Sequence, residues 1–238
     1  MSIRATDLGR IQALPLFAGA APETVAALTA GAYLQKLPAH TTLILEGDDT
    51  DALYVLVDGA VELVGTWNDK ETSVAVLRPV SAFILAAVVV DAEALLSAET
   101  LERSEVLMIP AEAVRRAMAA DGAFCLAVAR EMALGYRGLV RAFKNQKLRG
   151  GVERLANYLV SERARQGGGR ALTLAHEKRV LASLLGMTPE NLSRAFSTLA
   201  DYGVEVHGAE VVITRPEPLA RLAKPTPLID PPAENAAA

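Results

Sequence analysis

The chain is predicted to be α+β: an N-terminal β-roll, one long helix, and a C-terminal winged helix-turn-helix. Three observations carry this. Between Tyr33 and Pro79, short β-forming runs alternate with turn residues at a spacing that suits rolled antiparallel sheet. Across residues 126–143, apolar residues recur three and four apart. Residues 176–201 set two amphipathic helices around Gly186. With 238 residues, 51% of them hydrophobic, there is material for two packed domains, and wholesale disorder is excluded.

In chain order, residues 7–36 read as short helices, with Leu8, Ile11 and Leu14 on one and Pro22-Glu23 opening the next. β runs follow at 41–46, 52–57, 60–66 and 72–77, divided by Gly47-Asp48-Asp49, Asp58-Gly59 and Asn68-Asp69-Lys70. Residues 83–90 are an unbroken apolar run, and a last strand is predicted near 106–109. Pro110 then opens helical sequence over 111–120.

The long helix carries Leu126, Ala129, Ala133, Tyr136, Val140 and Phe143 as an a/d seam of nearly three heptads. Its alanines suit close approach of a second helix, so self-association is expected; burial against its own domain is the alternative. Gly150-Gly151 interrupts the pattern, and 152–165 resumes it. The expected segments are 1–121, 122–148, 149–216 and 217–238. The last is expected to be a disordered tail, because six prolines fall between Pro216 and Pro232.

In the two-helix segment, Val180, Leu181, Leu184 and Leu185 are expected to be buried, with Ala182 allowing a close crossing. Thr188-Pro189-Glu190 supplies an N-cap, a first-turn proline and a first-turn acid. Leu192, Phe196 and Leu199 point to the core, leaving Glu190, Asn191, Ser193, Arg194 and Ser197 outward. Residues 204–206 and 211–213, joined through Gly208, read as a β-hairpin wing. The net charge is −4, yet residues 137–194 hold twelve basic residues against four acidic. A local basic surplus that coincides with such a motif points to DNA.

This order of elements, over roughly residues 10–215, resembles the CRP/FNR family of bacterial transcription regulators. Glu190-Asn191-Leu192-Ser193-Arg194 is similar to the Glu-x-x-Ser-Arg signature of the family's FNR-like branch. The resemblance implies a cyclic-nucleotide-binding-like β-roll as sensor, a dimerisation helix and palindromic TTGAT-type sites in double-stranded promoter DNA. RNA polymerase is a further implied partner. An arginine matches the two acceptors of guanine, and a carboxylate can accept from cytosine. Arg194 is therefore expected on guanine, and Glu190 on its paired cytosine or as the orienter of Arg194. Ser193 is expected to make a short contact, while Lys178, Arg179 and Thr188 hold phosphates.

The sensor departs from the family pattern. Cyclic-nucleotide-binding relatives carry a Gly-Glu pair for ribose and an Arg-Ser pair for the cyclic phosphate. Here Leu85-Ala86 and Leu96-Ser97 fall at those positions. A buried phosphate without a cation loses several kcal/mol of solvation, so cyclic AMP is an unsuitable effector. Phe83, Leu85, Ala86, Leu96 and Ser97 form the expected effector region, read either as filled core or as a site for haem or another apolar ligand. A single cysteine, Cys125, excludes a four-cysteine iron–sulfur cluster and a disulfide framework; it is expected to be buried as a small apolar residue. His40 is the one histidine of the sensor half, expected to be exposed, with metal or haem ligation the alternative. No metal site and no catalytic constellation is expected. With neither an apolar span nor a signal sequence, the expected place is the cytoplasm, away from membranes. The alternative reading is a ligand-gated β-roll scaffold that regulates another protein without binding duplex DNA.

Overall fold

The computed structural model describes residues 5–68 and 70–230, so Asp69 of the predicted turn and tail residues 231–238 lie outside the described residues. The chain divides into two compact units, one running to Tyr136 and the other beginning at Arg137.

The first unit opens with α1 (Ala5–Gln12), a 3-10 turn (Pro15–Phe17) and α2 (Pro22–Ala30). Then come β1 (Tyr33–Leu37), β2 (Thr42–Ile44), β3 (Ala52–Asp58), β4 (Val61–Trp67), β5 (Lys70–Leu77) and β6 (Ser81–Phe83). A short α3 (Leu85–Val90) precedes β7 (Ser97–Thr100), β8 (Ser104–Pro110) and α4 (Ala111–Ala120), and α5 (Gly122–Leu148) begins in this unit and ends in the second. The strands form two four-stranded antiparallel sheets, in the orders β1-β8-β3-β6 and β2-β7-β4-β5.

The near-continuous apolar run of β3 follows from burial on both faces. Leu53 and Val55 pack outward with Leu107 and Ile109 against Ile11, Phe17, Leu28, Val114 and Phe124 of the helices. Tyr54 and Leu56 face inward with Ile44, Val61, Phe83 and Val106. At the β3–β4 turn Gly59 has φ +93°, and a Cβ there would lie 2.7 Å from the Ser104 Cα and the Arg103 carbonyl oxygen. The turn therefore depends on glycine for both conformation and space.

The beginning of α5 is capped by Asp121. Its carboxylate accepts the Ala123 and Phe124 amides at 2.9 and 3.1 Å, and the Ala21 amide at 2.8 Å. Phe124, Ala127 and Val128 are buried, whereas all six seam positions from Leu126 to Phe143 are exposed. Cys125 is half-buried, a correction to the expected full burial; its position falls between the buried and the exposed faces.

The second unit holds α6 (Gly151–Arg165), β9 (Ala171–Thr173), α7 (Lys178–Leu184), α8 (Pro189–Ala200), β10 (Val204–His207), β11 (Glu210–Ile213) and α9 (Pro216–Ala223). The hairpin of β10 and β11 gains β9 on the β11 edge. A disordered segment from 217 is overturned as far as the described residues go. Pro216 and Pro218 occupy the first turn of α9, where a missing amide costs nothing. Leu219 and Ala223, four apart, are buried against α6 and its neighbours, so the helix draws its stability from tertiary packing.

Candidate nucleic-acid interface

Leu155, Leu159, Leu172, Leu181, Leu192, Phe196, Leu199, Val211 and Ile213 form the core on which α7 and α8 rest. Leu192, Ala195, Phe196 and Leu199 repeat at helical spacing on the buried face of α8. Burying each of its two leucines contributes roughly 1.5–3 kcal/mol, which holds the opposite face outward. That face carries Glu190, Asn191, Ser193, Arg194 and Ser197, all exposed. In α7, Val180, Leu181 and Ala182 are buried with the following Leu185; Leu184 is half-buried, a correction to full burial.

The turn between the helices is closed by two opposed backbone bonds. The Met187 amide donates to the Ala182 carbonyl, and the Gly186 amide to the Ser183 carbonyl, both at 2.8 Å. This is a Schellman closure with Gly186 in the left-handed region at φ +59°. The Thr188 hydroxyl then caps α8 by accepting the Asn191 amide at 3.3 Å. The Glu190 carboxyl is held below its ordinary range, first by a hydrogen bond with Thr188, then by its own backbone amide, with a smaller pull from Arg194. The Thr188 hydroxyl, expected on a phosphate, also shapes the first turn of α8.

Lys178 and Arg179, both exposed, stand at the start of α7. A groove of about 560 Å³ lies between α8 and the wing, lined by Lys178, Ser193, Phe196, Ser197, Glu205 and Val206 among others. One unit therefore holds a polar helix face, two flanking cations and a wing.

The comparisons with known proteins agree with this geometry. A family model described as a Crp-like helix-turn-helix domain matches residues 153–222, and one described as a cyclic nucleotide-binding domain matches residues 34–121. The chain belongs to the CRP/FNR family of transcription regulators. The nitrogen fixation regulation protein FixK of Rhizobium meliloti is 35% identical over 96 residues, which cover 38% of this chain and 46% of FixK, less than half its length. The CRP-like cAMP-activated global transcriptional regulator of Mycobacterium tuberculosis is 25% identical over 215 residues, covering 88% of this chain and 96% of that one. FixK2 of Bradyrhizobium japonicum shares the fold, with a TM-score of 0.69 at 20% identity over 82% of this chain and 98% of that one. The family is one of regulators rather than enzymes. No helix among the described residues is long and apolar enough to cross a membrane.

In this CRP/FNR chain two of the expected effector residues, Phe83 and Leu85, belong to different core clusters. Ile84, at φ +61°, turns the backbone between β6 and α3. Phe83 consequently packs in the core between the sheets, and Leu85 in the core beneath the helices. Ala86 is exposed, and Leu96 and Ser97 are half-buried. The Ser97 hydroxyl already accepts the Glu46 amide at 2.9 Å. His40 is exposed, with Nδ1 3.1 Å from the Glu99 carboxylate.

Sequence reasoning missed the polar side chains that hold the helix-turn-helix from behind. Gln146 and Arg154 bond the carbonyls of its turn. Neither side chain is flagged by hydrophobic spacing, and each meets a carbonyl about thirty or more residues away.

Proposed function

We propose that this CRP/FNR regulator acts as a homodimer on palindromic promoter DNA with TTGAT-type half-sites, the two copies paired along the α5 seam. The observation that carries the reading is the exposed α8 face, where Glu190, Ser193 and Arg194 stand on a buried hydrophobic support. Arg194 takes the guanine edge, Glu190 the paired cytosine, and Ser193 a short neighbouring contact. Lys178 and Arg179 hold phosphates and fix the register. Leu126, Ala129, Ala133, Tyr136, Val140 and Phe143 are all exposed, which supports pairing with a second copy. Two half-sites about one helical turn apart, roughly 34 Å, match the two-fold axis of such a dimer. Bound there, the protein works on transcription through RNA polymerase, in the cytoplasm.

The sensor takes an input other than cyclic AMP. Leu85, Ala86 and Leu96 offer no cation to a cyclic phosphate, and dehydrating that anion without a partner costs several kcal/mol.

The test titrates the protein onto a promoter half-site palindrome, single-mismatch duplexes and a scrambled duplex at several salt concentrations. Arg194→Ala is expected to cost about 1–3 kcal/mol on the palindrome and to flatten discrimination at one base pair. Lys178→Ala or Arg179→Ala is expected to weaken all duplexes alike and lower the salt slope by about one. An Arg194→Ala variant with full base discrimination and uniformly weaker binding would make Arg194 a phosphate anchor. Binding that is insensitive to salt and to sequence would favour the scaffold reading.

A further inference from the structure

The segment after α9 is fastened to the end of α5. The Asp230 carboxylate takes the Arg149 guanidinium through two parallel hydrogen bonds, Nη1 to Oδ1 and Nη2 to Oδ2, each 2.6 Å. The two side chains are 8% and 16% exposed, so this is a largely dehydrated pair. Oδ2 of Asp230 also accepts the Thr226 amide at 2.8 Å. Arg149 further donates to Asn145 Oδ1 at 3.1 Å and to the Lys224 carbonyl at 3.3 Å. The Lys144 ammonium donates to the Leu228 carbonyl at 3.4 Å. A forked, nearly dry arginine–carboxylate pair fixes orientation as well as distance.

The path continues to the DNA-reading motif. The Arg149 carbonyl accepts Arg154 Nη1 at 2.6 Å. Arg154 Nε donates to the Leu185 carbonyl at 2.7 Å, and Nη2 to the Gly186 carbonyl at 3.3 Å. Gln146 Nε2 donates to the Leu184 carbonyl at 3.3 Å. Three consecutive carbonyls of the helix-turn-helix turn are thus held by the last turn of α5 and the first turn of α6. Burial pulls the Arg154 guanidinium below its ordinary pKa, in keeping with its position behind the turn.

We propose that residues 224–230 form a clasp that sets the attitude of α8 relative to the end of α5, with Asp230 as its positioning residue. The clasp acts through Arg149 and Arg154 and touches no DNA. It rests on the two-fold DNA reading above, because the separation of two reading heads depends on how firmly each is held to its own α5. One base pair added between half-sites shifts the far one by about 3.4 Å and rotates it by about a tenth of a turn. A firmly held head rejects that change, and a loosened head accepts it.

The experiment uses the full chain, with Asp230→Ala, Asp230→Glu and Arg154→Lys. Binding is measured to palindromes of optimal spacing, to palindromes with one base pair added or removed, and to a single half-site. Amide exchange is followed at residues 185–188. Asp230→Ala is expected to lower the spacing preference about tenfold while leaving single half-site affinity within about twofold. Exchange at the turn is expected to accelerate about tenfold without a matching rise in the α8 core. Asp230→Glu restores both readouts. Arg154→Lys, which keeps the charge but loses the fork, reproduces the loss. The clasp is overturned if Asp230→Ala leaves spacing preference and turn exchange unchanged. It is equally overturned if all duplexes weaken together and exchange rises throughout the unit, which is the signature of a plain stabilising pair. Should the unsubstituted protein show no spacing preference, the two-fold DNA reading fails. The exchange data then decide the clasp: acceleration confined to the turn upholds it, and uniform acceleration refutes it.

Discussion

Val140→Glu is the sharpest perturbation of the proposed dimer. Tyr136 and Phe143 are 69% and 60% exposed, and Leu126 and Val140 are 52% and 38% exposed. Large aromatic side chains bury about 150–250 Å² each, so each of the two presents on the order of 100 Å² to a partner. Two protomers together bring roughly 600–800 Å² of apolar surface to the seam, worth about 15–20 kcal/mol at about 25 cal/mol per Å². Association itself costs about 4–15 kcal/mol. A micromolar dimer needs a net of about 8 kcal/mol, which the seam can supply. Val140→Glu removes about 1–2 kcal/mol of apolar gain per protomer. It also places two carboxylates at the seam, each costing several kcal/mol to dehydrate. The expected outcome is a monomer at micromolar concentration by light scattering. Because Val140 lies on the exposed face of α5, helix content by circular dichroism should stay the same. A variant that remains dimeric at that concentration would place the interface elsewhere and refute the seam.

Asp121 makes acid stability testable: the amide of Ala21, then that of Phe124, hold its carboxyl below the ordinary range. A carboxyl depressed in the folded state stabilises fully above its unfolded value of about 3.9, and that contribution is lost as pH falls through the folded value. Asp121→Asn should therefore flatten the acid limb of the first unit's melting curve, and an unchanged limb would count against the cap. Gly59→Ala should lower the first unit's denaturation midpoint, since a left-handed non-glycine residue costs about 1–3 kcal/mol before the contact with Ser104 is counted. An unshifted urea midpoint would show that the turn relaxes freely. Cyclic AMP should change neither the thermal midpoint nor DNA affinity, because a ligand of the folded state must raise stability by mass action. A saturable midpoint shift would overturn the reading of Leu85, Ala86 and Leu96.

Much of the exposed α8 face is legible because its determinants are local. A Thr-Pro-Glu opening, apolar residues at 192, 196 and 199, and a glycine at 186 are sufficient to place α8 and its outward face. The same holds for the β-hairpin of the wing and for the α5 seam, whose exposure follows from a repeat that a single helix cannot bury on its own. The packing of the expected effector region is not local in this way. Residues 83–90 read as one apolar stretch, but the left-handed Ile84 sends Phe83 and Leu85 into different cores.

By itself, the sequence determined what depends on neighbours a few residues away: the helix caps, the heptad spacing, the glycine turns, and the outward polar and basic residues of α7 and α8. Only the tertiary structure decided what depends on partners far along the chain. Leu219 and Ala223 become helical because α6 and its neighbours cover them, in a segment whose prolines alone suggest disorder. Asp230 meets Arg149 across 81 positions, and Arg154 meets Leu185 across 31. No local pattern announces such pairs. A charged side chain records its own chemistry, whereas its partner is chosen by the packing that brings the two together and removes water from between them.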